Sequence, residues 1–193
     1  MSKSFEGKMI IFSGPSGVGK STLARHLLDK FSSFSFSTSA CTRPIRPGEV
    51  DGKHYYFLSE TDFRSKIKND AFVEYEEVYP GQFYGTLKSE LQKIWSQNNH
   101  VLFDIDVYGA LAIKKQFPKK SLSILVMPPD IKTLENRLRQ RSTESEEKLL
   151  MRLGKAKEEL EFSGQFDICL VNDNLDNAKI IAEKEVMKFI SNL

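Results

Sequence analysis

The sequence contains too little of several features to support some common classes of protein. Cysteine occurs at only two positions, Cys41 and Cys169, which excludes a disulfide framework and a cysteine-based zinc cluster. No apolar run approaches the roughly 18 residues that a membrane-spanning helix needs, and residues 1–8 lack the apolar core of a signal peptide. We therefore expect a cytoplasmic protein with reduced cysteines and no membrane partner.

An excess of charge of one sign is also missing. The 28 Lys and Arg residues are balanced by 26 Asp and Glu residues, whereas proteins that bind nucleic acid have a strongly basic surface. The chain also lacks internal repeats and low-complexity segments. What it does have is a hydrophobic content of 40% over 193 residues, which is enough for one folded domain over residues 1–193. Nucleic acid is therefore not an expected partner.

Short apolar runs alternate with amphipathic stretches along most of the chain. The runs Met9–Phe12, Val101–Ile105 and Ser123–Met127 are typical of buried strands, and stretches with helical spacing such as Ser21–Phe31 follow them. A parallel sheet buries both of its faces under helices, so its strands are continuously apolar. The pattern therefore predicts an α/β protein with a three-layer core around a parallel sheet.

Two regions interrupt this alternation. Residues from about 35 to 86 contain closely spaced Pro and Gly turns between short strand-like runs, and residues from about 131 to 162 carry dense charge. We interpret the first region as an inserted mixed lobe and the second as a helical lid, in which Thr143 and Glu146 fit a capping box. The core is then predicted to comprise residues 1–34, 87–130 and 163–193.

The clearest motif lies directly after the first predicted strand. Gly14 to Ser21 fits G-x-x-x-x-G-K-[ST] at every fixed position. Glycines in such a loop let backbone N–H groups point at a phosphate, and the following helix presents its positive N-terminus to the same anion. The Lys reaches the β- and γ-phosphates and the Ser hydroxyl ligates Mg²⁺. The motif predicts a P-loop fold whose ATP-binding residues are Gly14, Pro15, Ser16, Gly17, Val18, Gly19, Lys20, Ser21 and Thr22.

A second element fits this reading. The apolar run from Val101 ends in Asp104-Ile105-Asp106. A carboxylate at the carboxyl end of a strand beside a phosphate loop can hold the water shell of Mg²⁺. We therefore predict a Mg²⁺ site, occupied together with ATP, at Ser21 and, through water, at Asp106.

A phosphate loop alone does not select the reaction. The N-K-x-D motif of G proteins is missing from the sequence. More informative are the segments S-A-C-T-R-P-I-R-P-G-E from Ser39, G-K-H-Y-Y-F from Gly52, F-V-E-Y from Phe72 and F-Y-G-T from Phe83. In order and spacing, these segments and the run ending in Asp106 resemble guanylate kinases.

The resemblance extends from Gly14 to Val171-Asn172-Asp173, which is nearly the whole chain. It implies a nucleoside monophosphate kinase that converts ATP and GMP to ADP and GDP, with dGMP also accepted. It implies a fold with a parallel-sheet core, an acceptor-binding lobe and a lid, in agreement with the organisation inferred above. Small-molecule nucleotides are then the expected partners, and the chain is expected to be a monomer or a homodimer.

The resemblance also assigns residue roles. It implies that GMP is bound by residues of the lobe and of the strand after it, namely Ser39, Arg43, Arg46, Glu49, Tyr55, Glu74, Tyr84, Thr86, Asp104 and Asp106. It implies that lid arginines close over the transferring phosphoryl group and that Asn172 faces the adenine of ATP. The expected catalytic residues are Lys20, Arg43, Arg137, Arg141 and Arg152.

The chemistry of the lobe can be argued separately. A monophosphate dianion favours the planar, bidentate donors of Arg, which Arg43 and Arg46 supply. A carboxylate such as Glu74 accepts hydrogen bonds from the adjacent N1–H and N2–H₂ groups of guanine at once. The guanine O6 atom needs a donor, for which Ser39 or Thr86 is suitable. Adenine would turn a lone pair toward Glu74, and a site of this kind can reject such an analogue by about 10⁴-fold.

Three other functions have to be weighed. A kinase for another phosphorylated acceptor, such as a ribose bisphosphate, would share the phosphate loop but not the guanine-binding set. A non-catalytic scaffold module typically loses the phosphate loop and the lid arginines, which this chain keeps. A P-loop switch protein would not need a monophosphate-binding lobe.

Overall fold

The computed structural model describes residues 6–141 and 146–191, with Tyr79 and Arg141 described by their backbone alone. These residues form nine strands and seven α-helices, in the order β1 Met9–Ser13, α1 Lys20–Lys30, β2 Phe34–Phe36, β3 Ala40–Cys41, β4 Tyr56–Phe57, α2 Glu60–Lys68, β5 Phe72–Tyr79, β6 Gln82–Leu87, α3 Lys88–Ser96, β7 His100–Asp104, α4 Val107–Gln116, β8 Ser121–Met127, α5 Ile131–Arg141, α6 Glu146–Glu161, β9 Ile168–Val171 and α7 Leu175–Ser191. None of the helices in these two ranges is both long and apolar enough to cross a bilayer.

The larger sheet has five strands in the order β2, β7, β1, β8 and β9. Strand β1 pairs in parallel with β8, which pairs in parallel with β9. All five residues of β1 are buried, as its continuous apolar run predicts for a central parallel strand. Helices α1, α4 and α7 pack against this sheet. The predicted α/β class with a parallel sheet is confirmed.

The smaller sheet has four strands in the order β4, β3, β6 and β5. It is mixed, because β3 pairs in parallel with β4 but antiparallel with β6, and β6 pairs antiparallel with β5. Its core is aromatic: the Phe63 ring centroid lies 4.3 Å from that of Phe72 and 5.4 Å from that of Phe83. This sheet lies in the region whose turns and short runs predicted a mixed lobe.

The chain divides into two compact units. The first unit contains Ser33–Val101 with residues 6 and 7, and the second contains Lys8–Ser32 with the described part of Leu102–Leu193. Helix α3 groups with the first unit because it follows β6 directly and packs on it, whereas the sequence-based division assigned residues 87–130 to the core. The residue bounds proposed for core, lobe and lid stay a prediction.

Candidate active site

The phosphate loop joins β1 to α1 in the second unit. Gly14, Gly17 and Gly19 have φ angles of +123°, +89° and +102°, which L side chains rarely adopt. A Cβ atom on Gly14 would lie 2.3 Å from the Val126 carbonyl oxygen, and one on Gly19 would lie 2.5 Å from the Asn172 amide nitrogen. Glycine is thus required here both by the backbone conformation and by close packing.

The first two side chains of α1 lie at this loop. The Lys20 ammonium donates to the carbonyl oxygens of Gly14 at 2.6 Å and Pro15 at 3.1 Å, so it lies over the loop. The Ser21 hydroxyl donates to a carboxylate oxygen of Asp104. A cation and a helix N-terminus together provide a binding site for the phosphates of a nucleotide.

The carboxylate that ends β7, Asp104, and the one that follows the strand, Asp106, have different partners. Asp104 accepts the Ser21 hydroxyl, whereas Asp106 is the N-cap of α4 and accepts the Gly109 backbone N–H at 3.0 Å. The sequence paired Ser21 with Asp106, but the structure brings Asp104 beside Ser21. An Asp three residues before a helical N–H is a common N-cap, and this local role of Asp106 is readable from sequence.

A depression of about 300 Å³ lies beside the loop. Its lining comes from the loop, from α1, from α5 and from the segment after β9, namely Gly17, Val18, Gly19, Thr22, Arg137, Gln140, Asn172, Asp173 and Leu175. Asn172 is buried and donates from its amide to the Val18 carbonyl at 2.7 Å. The Arg137 guanidinium donates to the Asn172 backbone oxygen at 2.9 Å. Asn172 therefore fixes the loop and joins it to α5, a role that sequence reasoning missed.

Helix α5 packs directly on the phosphate loop. A Cβ atom on Gly17 would lie 3.0 Å from Leu138 and 3.4 Å from Leu134, and both leucines are buried. Arg137, three residues after Leu134, lies on the adjoining side of the helix and lines the same depression as Gly17. The Arg141 side chain and Thr143 of the capping box lie outside the described residues, so their predicted roles stay predictions.

Helix α6 carries a buried residue, Glu159, that the sequence analysis did not single out. Arg152 is half-buried, and Glu159, seven residues later and thus on the same face, is 7% exposed. Burial raises the pKa of Glu159 against the attraction of Lys20 and Lys155, and Asp106 raises it further. The dense charge around Glu159 is typical of a solvated helix, so no sequence signal separates it from its exposed neighbours.

The first unit holds the predicted guanine-binding pair. The Thr86 hydroxyl donates to Glu74 Oε1 at 2.6 Å, and these residues are 0% and 6% exposed. They face each other because Glu74 of β5 is in register with Thr86 of β6. Ser39, just before β3, is half-buried, and its carbonyl accepts the Tyr56 N–H at 2.9 Å.

A second cluster of the first unit surrounds Arg43, which is 7% exposed. Glu49 accepts from both terminal nitrogens of its guanidinium, at 2.7 and 2.6 Å. The guanidinium carbon lies 4.8 Å from the centroid of the Tyr55 ring, which lies 6.0 Å from that of Tyr84. The structure thus brings Arg43, Tyr55 and Tyr84 together.

Electrostatics distinguish the members of this cluster. The Arg43 side chain holds the pKa of Glu49 at about 2, below its usual value of 4.5, and the Arg46 backbone N–H bonded to Glu49 at 2.8 Å acts in the same direction. Burial raises the pKa of Tyr84, opposed by Arg43. The Arg46 side chain is exposed. Glu49 therefore orients the Arg43 guanidinium. The position of Glu49 in the sequence segment does not reveal this role.

A phosphate loop between a central parallel strand and a helix, with a strand-end carboxylate on its serine, defines a P-loop nucleotide-binding protein of the α/β class. The family model "Guanylate kinase" matches residues 6–190. The guanylate kinase of Chlorobium luteolum is 44% identical over 185 residues, which cover 96% of this chain and 93% of that protein. That of Bacteroides fragilis is 44% identical over 188 residues, covering 97% and 92%.

The fold agrees with these sequence matches. The crystal structure of guanylate kinase from Anaplasma phagocytophilum gives a TM-score of 0.73 at 27% identity, covering 96% of this chain and 87% of that one. The chain belongs to the guanylate kinase family. It is accordingly an ATP:GMP phosphotransferase.

Proposed function

We propose that this chain transfers the γ-phosphoryl group of ATP to GMP, and also to dGMP, with the residues described above. In this proposal the ATP phosphates lie in the loop from Gly14 to Thr22. The Lys20 ammonium, which contacts the loop carbonyls, binds the β- and γ-phosphates. The adenine occupies the part of the depression beside Asn172.

Mg²⁺ fits the donor set at the start of α1. The Ser21 hydroxyl and the Asp104 carboxylate are bonded to each other, and hard oxygen ligands of this kind suit Mg²⁺, which takes one or two protein ligands together with substrate phosphates. We assign the ion to Ser21 and Asp104, with Asp106 as the alternative carboxylate. When bound, the ion neutralises charge on the β- and γ-phosphate oxygens.

The buried Glu74–Thr86 pair is the observation that carries the choice of GMP. A buried carboxylate is stabilised by hydrogen-bond donors, and guanine offers two adjacent ones in N1–H and N2–H₂. Adenine offers an acceptor at N1, which the Glu74 carboxylate would repel. The cluster of Arg43, Tyr55 and Tyr84 supplies a cation and two phenol groups for the phosphate of GMP. Arg46 lies on the same turn, together with Glu49, which orients Arg43.

The transfer step needs charge neutralisation and exclusion of water more than it needs a base. The attacking oxygen of GMP already belongs to an ionised phosphate, so no proton has to be removed from it. Arg137, Arg141 and Arg152 supply positive charge to the transferring phosphoryl group, whose charge is spread over three oxygens. Bound substrates bring such donors into place, which limits hydrolysis of ATP by water.

A coupled assay of ADP release tests the proposal. ATP with Mg²⁺ would be supplied together with GMP, dGMP, AMP, UMP or ribose bisphosphate in parallel. We expect fast turnover with GMP and dGMP only. Turnover with ribose bisphosphate alone, or GMP binding without turnover, would replace the proposal by another kinase or by a scaffold module. A monomeric or homodimeric state and a cytoplasmic location stay expectations from the sequence.

A further inference from the structure

Helix α3 carries a buried carboxylate that none of the roles above uses. Glu90 is 3% exposed. Its Oε1 atom accepts the backbone N–H of Thr38 at 3.3 Å, and its Oε2 atom accepts the Tyr56 hydroxyl at 2.7 Å. The Lys93 ammonium lies 3.4 Å from Oε2, on the solvent side. Each carboxylate oxygen of Glu90 thus has its own donor on a different segment of the first unit.

Burying a carboxylate is costly, so its donors must compensate for lost hydration. An apolar residue would fill this position at lower cost if packing alone were needed, as Leu91 and Ile94 do on the same helix. What a carboxylate adds is two directed acceptors. The physical effect of Glu90 is therefore to fix the donors, namely the Thr38 backbone and the Tyr56 hydroxyl.

The two groups that donate to Glu90 belong to residues that flank Ser39 and restrict its position. The Ser39 carbonyl accepts the Tyr56 backbone N–H at 2.9 Å, and Ala40 is in register with Tyr56 in the β3–β4 pair. Glu90 thus binds the backbone of Thr38, directly before Ser39. Through the Tyr56 side chain it also fixes β4, the strand whose Tyr56 N–H bonds to Ser39. The backbone of Ser39 lies between these two restraints.

The hydroxyl of Ser39 has a distinct role in the proposed guanine site. The sequence left Ser39 and Thr86 as alternative donors to guanine O6. The Thr86 hydroxyl proton is already directed to Glu74, which leaves Ser39 as the donor for O6. We propose that Glu90 is a positioning residue for guanine specificity, which holds the Thr38–Ser39 backbone so that the Ser39 hydroxyl meets O6; this inference rests on the proposed function.

The test is a double-mutant cycle between Glu90 and Ser39, measured on the full chain with GMP and ATP as varied substrates. Glu90→Met keeps the side-chain length but removes both acceptors. Glu90→Gln keeps one oxygen that can accept the Thr38 N–H, and its NH₂ group can donate to the Tyr56 hydroxyl oxygen. We expect Glu90→Met to raise the KM for GMP roughly five- to tenfold, as loss of a hydrogen bond to substrate does, with kcat and the KM for ATP within twofold. Glu90→Gln should restore most of the wild-type KM for GMP.

The Ser39→Ala background separates positioning from general support of the fold. If Glu90 acts through Ser39, Glu90→Met should change the KM for GMP less than twofold in that background, because the contact it positions is already absent. An undiminished effect there, a rise in both KM values, or an unchanged KM for GMP in the Glu90→Met single variant would overturn the inference.

Two further points keep the test decisive. If Glu90→Met does not fold, as judged by thermal unfolding, Tyr56→Phe takes its place in the cycle, since it removes one of the two bonds; its smaller rise in KM for GMP should also vanish with Ser39→Ala. Wild-type turnover with GMP is measured first. Its absence would refute the proposed function itself, whereas normal wild-type turnover with additive variants would refute only the role of Glu90.

Discussion

Glu74 and Glu49 are acidic side chains of the same unit, but their partners give them different roles. Glu74 is buried and accepts the Thr86 hydroxyl, and the proposed function assigns it to the guanine base. Glu49 is bonded to the Arg43 guanidinium through both oxygens, so its charge orients a cation. The partner of each carboxylate, rather than its residue type, determines what it contributes.

Replacing Glu74 by Gln should relax the choice between GMP and AMP. An amide can accept only one of the two guanine donors and places its NH₂ group against the other. We expect kcat/KM for GMP to fall by about 10²-fold or more. The ratio of kcat/KM for GMP to kcat/KM for AMP should fall as well. Glu77→Gln, the same change at an exposed position of β5, is the control. Unchanged selectivity in Glu74→Gln would remove Glu74 from the guanine site.

The Arg43–Glu49 pair should make part of the stability depend on pH. Glu49 has a pKa of about 2 when folded and about 4.5 as an ordinary carboxyl, so the folded state binds its proton more weakly. The stabilisation is therefore fully present above about pH 4.5 and is lost as the pH falls toward 2. We expect the difference in unfolding temperature between the wild type and Glu49→Gln to shrink over that range.

The same pair allows a control for that titration. The depressed pKa of Glu49 comes first from its hydrogen bonds to Arg43. In an Arg43→Met background, the pH-dependent difference that Glu49→Gln makes to the unfolding temperature should therefore be much smaller. A difference that keeps its size from pH 7 to pH 2, or that persists without Arg43, contradicts this assignment.

At the scale of elements, the β5–β6 pair depends on the absence of a side chain at Gly85. A Cβ atom there would lie 2.7 Å from the Glu74 carbonyl oxygen, 2.8 Å from Tyr75 Cβ and 3.0 Å from Phe72 Cδ1. Two of these atoms cannot move away without a shift of the strand that carries Glu74. The spacing of the two strands and the position of Glu74, the carboxylate proposed to bind guanine, are thus linked.

Gly85→Ala should therefore affect both stability and GMP binding. We expect a loss of about 1–3 kcal/mol in the free energy of unfolding, as overpacking typically costs, and a rise in the KM for GMP that exceeds any rise in the KM for ATP. Gly154→Ala on α6 is the matched control, because nothing lies within 4 Å of its added Cβ and Ala favours a helix. Equal effects of the two substitutions in denaturant unfolding would contradict the packing argument.

The elements that the sequence predicted well are those with an uninterrupted local signal. The run Ser123–Met127 falls within β8, and the predicted helical stretch Ser21–Phe31 matches α1 (Lys20–Lys30) to within one residue at each end. Helices α2 and α3 were not predicted, because Pro and Gly turns nearby favoured strands and loops. One signal for α2 was available: Ser59 caps it by accepting the Asp62 N–H at 3.0 Å, a pattern that marks a helix start.

The site shows the same division between local and distant information. The phosphate loop is contiguous, so its geometry can be inferred from spacing alone. The bonds from Ser21 to Asp104 and from Asn172 to Val18 join residues far apart in sequence, and only the folded chain shows them. Glu49 and Arg43 are close in sequence, but the more common interpretation of an acidic residue in a turn is that it is exposed and has no such partner.

At the scale of the whole molecule, the phosphate loop and the Glu74 and Arg43 clusters fall in different compact units, while Asp104 and Asp106 lie in the same unit as the loop. The loop with Lys20 belongs to the second unit, and the Glu74 and Arg43 clusters belong to the first. Each unit supplies its set of ligands from its own strands and helices. Each substrate is therefore expected to stabilise the protein by itself, before any transfer takes place.

Thermal unfolding with one substrate at a time tests this separation. At a concentration of 100 times its Kd, a ligand adds about 2.7 kcal/mol, which in a chain of this size corresponds to roughly 5–10 °C in Tm. Lys20→Ala removes the cation proposed to bind the ATP phosphates, so the variant should lose most of the shift with MgATP and keep the shift with GMP. Glu74→Gln should show the opposite pattern. Loss of both shifts in either variant, with its fold intact, would mean that the two sets of residues do not bind their substrates independently.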